Sequence, residues 1–314
     1  MWKYIAKKVL IWILLLFVAL FIPFVIINLS PGDPATFPLG GGGSTPNAIH
    51  EWREYHGLNQ PILERYISYI SGLFRGELAP TMPRRLGGFN PNITPTVLQN
   101  LPYTLSLITI SLSTALILAL PTGAIAATKK GTRIDKLIKS VALVGTSAPV
   151  FMLGMFALVL LRPLAVSGLS QQLLSGFIVG FGMFCAMVLS VRASCLEVIG
   201  QGYIATARAR GLLERKVVFK HVLRNALVPS LSVFRDNLGA FFGGVVIVEF
   251  LFNRAGIGRL LIQGILSRDH ALTLACVVMF VFCYVVIHIV VDIVQGAIDP
   301  LVRTKYARKS RLTA

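Results

Sequence analysis

Residues 197–229 read EVIGQGYIATARARGLLERKVVFKHVLRNALVP, and long apolar segments lie on both sides of this basic run. A basic loop between two membrane spans belongs on the cytoplasmic side. Its Ala- and Arg-rich part, 203–210, predicts a short helix, and Gly211 predicts the turn that ends it. Small side chains suit a helix that inserts into a groove on a soluble partner. We therefore expect the rest of the chain to form a membrane channel around this helix.

The composition is that of an integral membrane protein. Of the 314 residues, 55% are hydrophobic and 14% are charged, whereas soluble domains carry about 25% charged residues. A net charge of +17 also suits a nucleic-acid-binding protein. Basic loops beside anionic lipid explain this charge without nucleic acid, however. The four cysteines, which lack metal-ligand spacing, are predicted to be buried free thiols.

Hydropathy predicts an all-α fold with six membrane spans, each long enough to cross a bilayer. The apolar runs are about 9–29, 103–127, 137–161, 172–191, 229–252 and 271–294. Pro149 predicts a kink in the third span. Of the 30 Lys and Arg residues, 21 fall in segments that this topology places inside and nine in segments placed outside. This bias puts both termini in the cytoplasm, and residues 1–314 then form a single transmembrane domain.

Two polar segments connect these spans. The extracytoplasmic segment 30–100 is predicted to contain short helices at 47–57 and 61–75, the second begun by Pro61. The cytoplasmic segment 192–228 contains the short helix described above. Glycines in the fourth and fifth spans predict close approach between helices. They are Gly176, Gly180, Gly182, Gly239, Gly243 and Gly244.

The sequence contains no catalytic or cofactor-binding motif. The patterns His-Glu-x-x-His and Gly-x-Ser-x-Gly and a nucleotide-binding loop are all missing from it. We therefore expect no enzyme, no cofactor bound by this chain and no metal site. If the protein does uphill work, another chain must supply the energy.

Ionisable residues inside spans are costly and indicate functional sites. In the fifth span, Arg235, Asp236 and Asn237 would line a polar path near the inner mouth. Alternatively, Arg235 reaches the interface and pairs with Asp236 or with a neighbouring helix. Glu249, near the outer end, contacts a substrate or partner, or caps amides of the outer loop. His288 and Asp292, one turn apart in the sixth span, form a proton relay or a structural hydrogen bond.

The chain resembles, in order and over nearly its whole length, the permease subunits of binding-protein-dependent ABC importers. The similarity is greatest to the dipeptide/oligopeptide branch, which also includes nickel permeases. The similar segments are 29–35, 57–61, 101–105, 197–199, 203–211, 221–229, 248–252, 256–258, 267–269 and 299–303.

This resemblance implies a type I importer permease of the bacterial inner membrane that carries peptides. The implied partners are a second homologous permease, two cytoplasmic ATPase subunits that bind ATP and Mg²⁺, and an extracytoplasmic binding protein. The short helix would enter a groove on an ATPase, and Arg208 and Arg210 would pair with its carboxylates. The coupling residues implied are Tyr203, Ala205, Thr206, Ala207, Arg208, Ala209, Arg210 and Gly211.

The segments 30–100 and 253–270 would form the binding-protein docking surface and the outer gate. The outer residues implied are Arg254, Arg268 and Asp269. Nickel or another small solute is the alternative cargo for the same architecture. A stand-alone secondary transporter is the alternative from another class. It would need mid-membrane carboxylates for a coupling ion, or inverted repeats with broken helices.

Overall fold

The computed structural model describes residues 2–29, 46–55, 57, 59–78, 93–161 and 168–298, and all regular secondary structure among them is helical. Sequence predictions for 30–45, 79–92, 162–167 and 299–314 lie outside the described residues. In chain order the first seven helices are α1 (Trp2–Leu29), α2 (Pro46–Tyr55), α3 (Ile62–Phe74), α4 (Ile93–Thr128), α5 (Arg133–Ser147), α6 (Val150–Leu161) and α7 (Gly168–Ile199). The remainder are α8 (Gly202–Ala209), α9 (Glu214–Lys216), a π-helix (Val217–Val222), α10 (Leu223–Asp236), α11 (Leu238–Leu251), α12 (Ile257–Leu266) and α13 (His270–Ile298).

Four helices are long and apolar enough to cross a membrane: α4, α7, α13 and the Leu10–Leu29 part of α1. Two more crossings result if each of two bent pairs counts as one span. The first pair, α5 and α6, bends by 102° at Ala148 and Pro149. The second, the helix Glu214–Asp236 followed by α11, bends by 52° at Asn237. The predicted count of six is the upper value of this range.

Both predicted breaks and unpredicted ones shape these spans. Pro149 was expected to kink the third span, and it lies where the helix breaks and turns. The fifth span was predicted to start at Pro229, but Pro229 lies inside α10. The helix continues back to Glu214 through the π-helix, so hydropathy located only its C-terminal part.

The chain folds as two compact units. One comprises residues 9–104 and 253–286, and its core contains Leu20, Phe24 and Tyr69 from α1 and α3, with Leu274 and Val278 from α13. The two predicted short helices are present here as α2 and α3. Pro61 precedes the first residue of α3, as expected of a residue whose fixed φ suits a helix start.

The other unit contains residues 1–8, 105–252 and 287–314, of which the structure describes parts. Glycines let its helices approach closely, because a Cβ atom would collide with the neighbouring helix. An added Cβ would lie 2.6 Å from the Ser111 carbonyl oxygen at Gly180, and 2.5 Å from Ile110 Cγ2 at Gly176. At Gly239 and Gly243 it would meet no atom within 4 Å. Close packing thus explains Gly176 and Gly180 of the fourth span but not Gly182, where an added Cβ would lie 3.9 Å from Val150. In the fifth span it explains only Gly244, where Val150 lies 3.3 Å away.

Candidate functional site

The short helix α8 is attached to the protein by one buried side chain. Ile204 is fully buried in a cluster that also contains Ala124, Val191, Val217 and Val222. The helix thus sits on side chains from α4, α7 and the π-helix. Its other residues are exposed except Ala207, which is partly buried against the same cluster. The exposed set is Tyr203, Ala205, Thr206, Arg208, Ala209 and Arg210.

Gly211 provides the turn after α8. Its φ is +76°, in the left-handed region, and an added Cβ would meet no atom within 4 Å. Its N–H donates to the Arg208 carbonyl oxygen at 2.9 Å. The glycine is required by backbone conformation, because residues with a Cβ are disfavoured at this φ.

Two side-chain contacts hold α8 against the segment that follows it. Arg208 Nε and Nη2 donate to the two carboxylate oxygens of Glu214, at 3.1 and 2.7 Å. This pair lowers the pKa of Glu214 and raises the pKa of Arg208, chiefly through the hydrogen bonds. Asn225 Nδ2 donates to Tyr203 Oη at 3.0 Å. Arg208 is therefore engaged within its own chain, whereas the sequence suggested a partner's carboxylate for it.

A buried ion pair that sequence reasoning missed lies beneath the same loop. Arg192, near the C-terminal end of α7, donates to both oxygens of Asp135 at 2.6 and 2.9 Å. Asp135 is 2% exposed and also accepts from the Gly131 N–H at 2.9 Å. The available signal was that Asp135 is the only acidic residue in the basic segment 129–139.

The charged residues of the fifth span form a network with α13 at the helix break. Arg235 Nη1 lies 3.1 Å from Asp292 Oδ1, and its Nε lies 3.5 Å from Asp236 Oδ1. The Asp292 side chain is 3% exposed, whereas that of Asp236 is 67% exposed. Asn237, at the break, donates through Nδ2 to the Val233 carbonyl oxygen at 2.8 Å. The structure thus supports the pairing of Arg235 with a neighbouring helix.

Glu249 and the predicted outer residues have defined local roles. Glu249 is fully buried in α11. Arg254 is 9% exposed, and its Nη2 donates to the Tyr103 carbonyl oxygen at 3.3 Å. Arg268 is exposed at φ +54°, and Asp269 Oδ1 accepts from the Leu272 N–H at 2.9 Å, which caps α13. Of these residues, only Arg268 offers an exposed charge.

Metal chemistry has little support in the described part of the chain. No group of three or more His, Cys, Asp and Glu that could hold a metal occurs among those residues. The four cysteines are buried free thiols, as predicted.

Comparison with known proteins agrees with the permease interpretation. Residues 119–304 match the family described as binding-protein-dependent transport system inner membrane component, and residues 1–108 match its N-terminal component. The chain is 31% identical to the glutathione transport system permease protein GsiC of Escherichia coli (strain K12), of Shigella flexneri serotype 5b (strain 8401) and of Shigella boydii serotype 4 (strain Sb227). Each alignment covers 97% of this chain and 100% of the relative.

These matches confirm a non-enzymatic permease subunit of the bacterial inner membrane, in a family with no cofactor of its own. The resemblance noted from 203–211 and 221–229 falls inside the matched region. This chain belongs to the family of binding-protein-dependent transport system inner membrane components.

Proposed function

We propose that this chain is one of two homologous permease subunits of an ATP-driven importer of small peptides, with both termini in the cytoplasm. Two ATPase subunits would bind ATP and Mg²⁺ on the cytoplasmic side, and an extracytoplasmic binding protein would deliver the cargo. The relatives are named for transport of glutathione, a small peptide, which supports this cargo class. Residues 1–314 would act as one transmembrane domain.

The main support for this proposal is the way α8 packs on the rest of the protein. Ile204 anchors the helix in a cluster shared with α4, α7 and the π-helix, while Ala205, Thr206 and Ala209 face outward. Small outward side chains fit a helix that lies deep in a groove of an ATPase. Because α8 shares its cluster with these longer helices, a movement of α8 would be passed on to them. Alternating access is the transition that such rigid-body movement produces.

The translocation path would pass the break of the fifth span. Asp236 is 67% exposed within a candidate span, and a charge at membrane depth avoids lipid and faces water or protein. Arg235 and Asn237 flank it at the same break. Glu249, further along on α11, would shape the path from within the protein. On the outer side, Arg268 would meet the binding protein, while Arg254 and Asp269 would hold the gate segment in place.

The experiment is ATP hydrolysis by the complex that copurifies with this chain, reconstituted in lipid. Binding protein loaded with glutathione, with another peptide or with nickel would be added in separate arms. The double variant Ala205→Trp/Ala209→Trp fills the outward face of α8, and Ala193→Trp is the matched control, because Ala193 is exposed but precedes α8.

We expect peptide-loaded binding protein to stimulate hydrolysis in the parent and in the control but not in the double variant. If only nickel-loaded binding protein stimulates ATP hydrolysis, nickel and not a peptide is the cargo. Equal stimulation in all variants would remove the coupling role of α8.

A further inference from the structure

An open groove runs along the helix that leads into the fifth span. Its volume is about 780 Å³. Four cations line it, namely Arg215, Lys216, Lys220 and Arg224. The other lining residues are all apolar, namely Leu213, Phe219, Leu223 and Leu227. Among the described residues, no acidic side chain lines the groove, so the four cations have no counter-charge within that lining.

The two sides of this helix have different roles because of its π-helical turn. Val217, Val222 and Ala226 are fully buried in the cluster beneath α8. The five-residue step from Val217 to Val222 crosses the π-helix, whose wider turn keeps both on the buried side. Lys216 and Lys220 are exposed on the other side. The groove is therefore a fixed surface of one packed unit.

Two of the four apolar residues of the groove are exposed. Leu213 is 78% exposed and Phe219 is 47% exposed. Large apolar side chains in contact with water cost free energy, and cationic neighbours do not remove that cost. A ligand that matches this surface carries both a negative charge and an apolar hydrocarbon part.

We propose that this groove binds an anionic phospholipid of the inner leaflet. The phosphate would be held by Lys216, Lys220 and Arg224, and the acyl chains would pass Phe219 and lie along Leu223 and Leu227, toward the fifth span. The helix continues without interruption from Glu214 to Asp236 inside the fifth span, so the groove lies next to the membrane. Long cationic side chains at this depth reach headgroups while their stems lie on apolar surface. The assignment rests on the cytoplasmic placement of 192–228 proposed above.

The test is native mass spectrometry of the full-length chain in detergent, titrated with dioleoyl phosphatidylglycerol or dioleoyl phosphatidylcholine. The groove variant is Lys216→Gln/Lys220→Gln/Arg224→Gln. The control variant, Lys129→Gln/Lys130→Gln/Arg133→Gln, removes the same charge from three exposed cations elsewhere. A third variant, Phe219→Ser, changes only the apolar side, and circular dichroism confirms the helical content of each. Lipid binding is measured without transport, so a negative result here would not bear on the proposed import function.

We expect the apparent Kd for the first phosphatidylglycerol to rise about tenfold or more in the groove variant and less than about twofold in the control. Phe219→Ser should also weaken binding, and inorganic phosphate should not compete, because the ligand is an amphiphile. Equal weakening in groove and control variants, or none in either, overturns the proposal. If the groove variant no longer copurifies with an ATPase subunit but binds lipid as before, the groove contacts an acidic face of that subunit. That result would also overturn the proposal.

Discussion

Asp135 and Arg192 connect the start of α5 to the end of α7 through two hydrogen bonds, of 2.6 and 2.9 Å. The carboxylate is almost completely buried, and it also fixes the preceding turn through the Gly131 N–H. Because α7 leads into α8 after two residues, this pair fixes the support on which α8 sits. The pair is thus part of the framework of the proposed coupling site.

Asp135→Asn is expected to destabilise the protein substantially. The substitution leaves Arg192 without its buried counter-charge, which costs about 3–5 kcal/mol when a pair is fully buried. Arg192 is 16% exposed, so we expect the lower end of that range. Chemical unfolding of the purified chain in detergent would measure the change.

Glu214→Gln is the matched comparison, because Glu214 and Arg208 form a similar two-point pair on the surface. Their side chains are 56% and 40% exposed, and exposed pairs contribute less than about 1 kcal/mol. Equal destabilisation by both substitutions would contradict the distinction between a buried framework pair and a surface pair.

Gly211→Val is expected to disturb the end of α8 although space is available around it. A left-handed backbone costs a residue with a Cβ about 1–2 kcal/mol, and more when the residue is β-branched. Gly211→Asn should be milder, because Asn tolerates this conformation. Amide hydrogen exchange in α8 and binding-protein-stimulated ATP hydrolysis should both follow the order Gly, Asn, Val. Identical behaviour of Val and Asn would show that φ at this position does not matter.

Gly180→Ala is expected to destabilise the packing between α7 and α4. The new Cβ would lie 2.6 Å from a carbonyl oxygen of Ser111, and such overpacking typically costs about 1–3 kcal/mol. Gly239→Ala is the control, since nothing lies within 4 Å of its Cβ position and no positive φ occurs there. Unfolding in detergent should separate the two variants, and a larger loss at Gly239 would contradict the packing described here.

Asp292→Asn and Asp236→Asn are expected to act differently. Asp292 is a buried partner of Arg235, so its neutralisation leaves a partly buried cation with only the exposed Asp236 carboxylate, and lowers stability by about 2–4 kcal/mol. Asp236 is mostly exposed, so Asp236→Asn should change stability by less than about 1 kcal/mol and act on transport. Unfolding and peptide uptake would be measured on both variants. A large stability loss with normal uptake for Asp236→Asn would exclude it from the path.

Sequence reasoning located the helices well wherever apolar length decided them. The spans at α1, α4, α7 and α13, the short helices α2 and α3, and α8 all follow from hydropathy, Pro61 and Gly211. The sequence prediction placed the start of the fifth span at Pro229, because the apolar run begins there. The helix reaches back to Glu214 because Val217, Val222 and Ala226 pack on Ile204, a tertiary contact that hydropathy does not register.

The sequence suggested that Arg235 is paired, but the buried partners of Arg192 and Arg235 could not be identified from it. Arg192 and Asp135 are 57 residues apart, as are Arg235 and Asp292. Local spacing instead suggested His288 as the partner of Asp292. Which charges meet depends on how the long helices pack, and a single sequence does not fix that register. The break at Asn237 has the same origin, because no proline marks it.

The most direct test of the account is photo-crosslinking from α8 in the assembled complex. Benzoylphenylalanine would replace Ala205 of α8 in one protein and Ala193, near the end of α7, in the other, and both alanines are exposed. We predict that position 205 forms a covalent adduct with an ATPase subunit, that its yield changes on addition of ATP, and that position 193 gives little adduct. Equal yields at both positions, or adducts from position 205 only to lipid, would contradict the claim that α8 couples the permease to its ATPase.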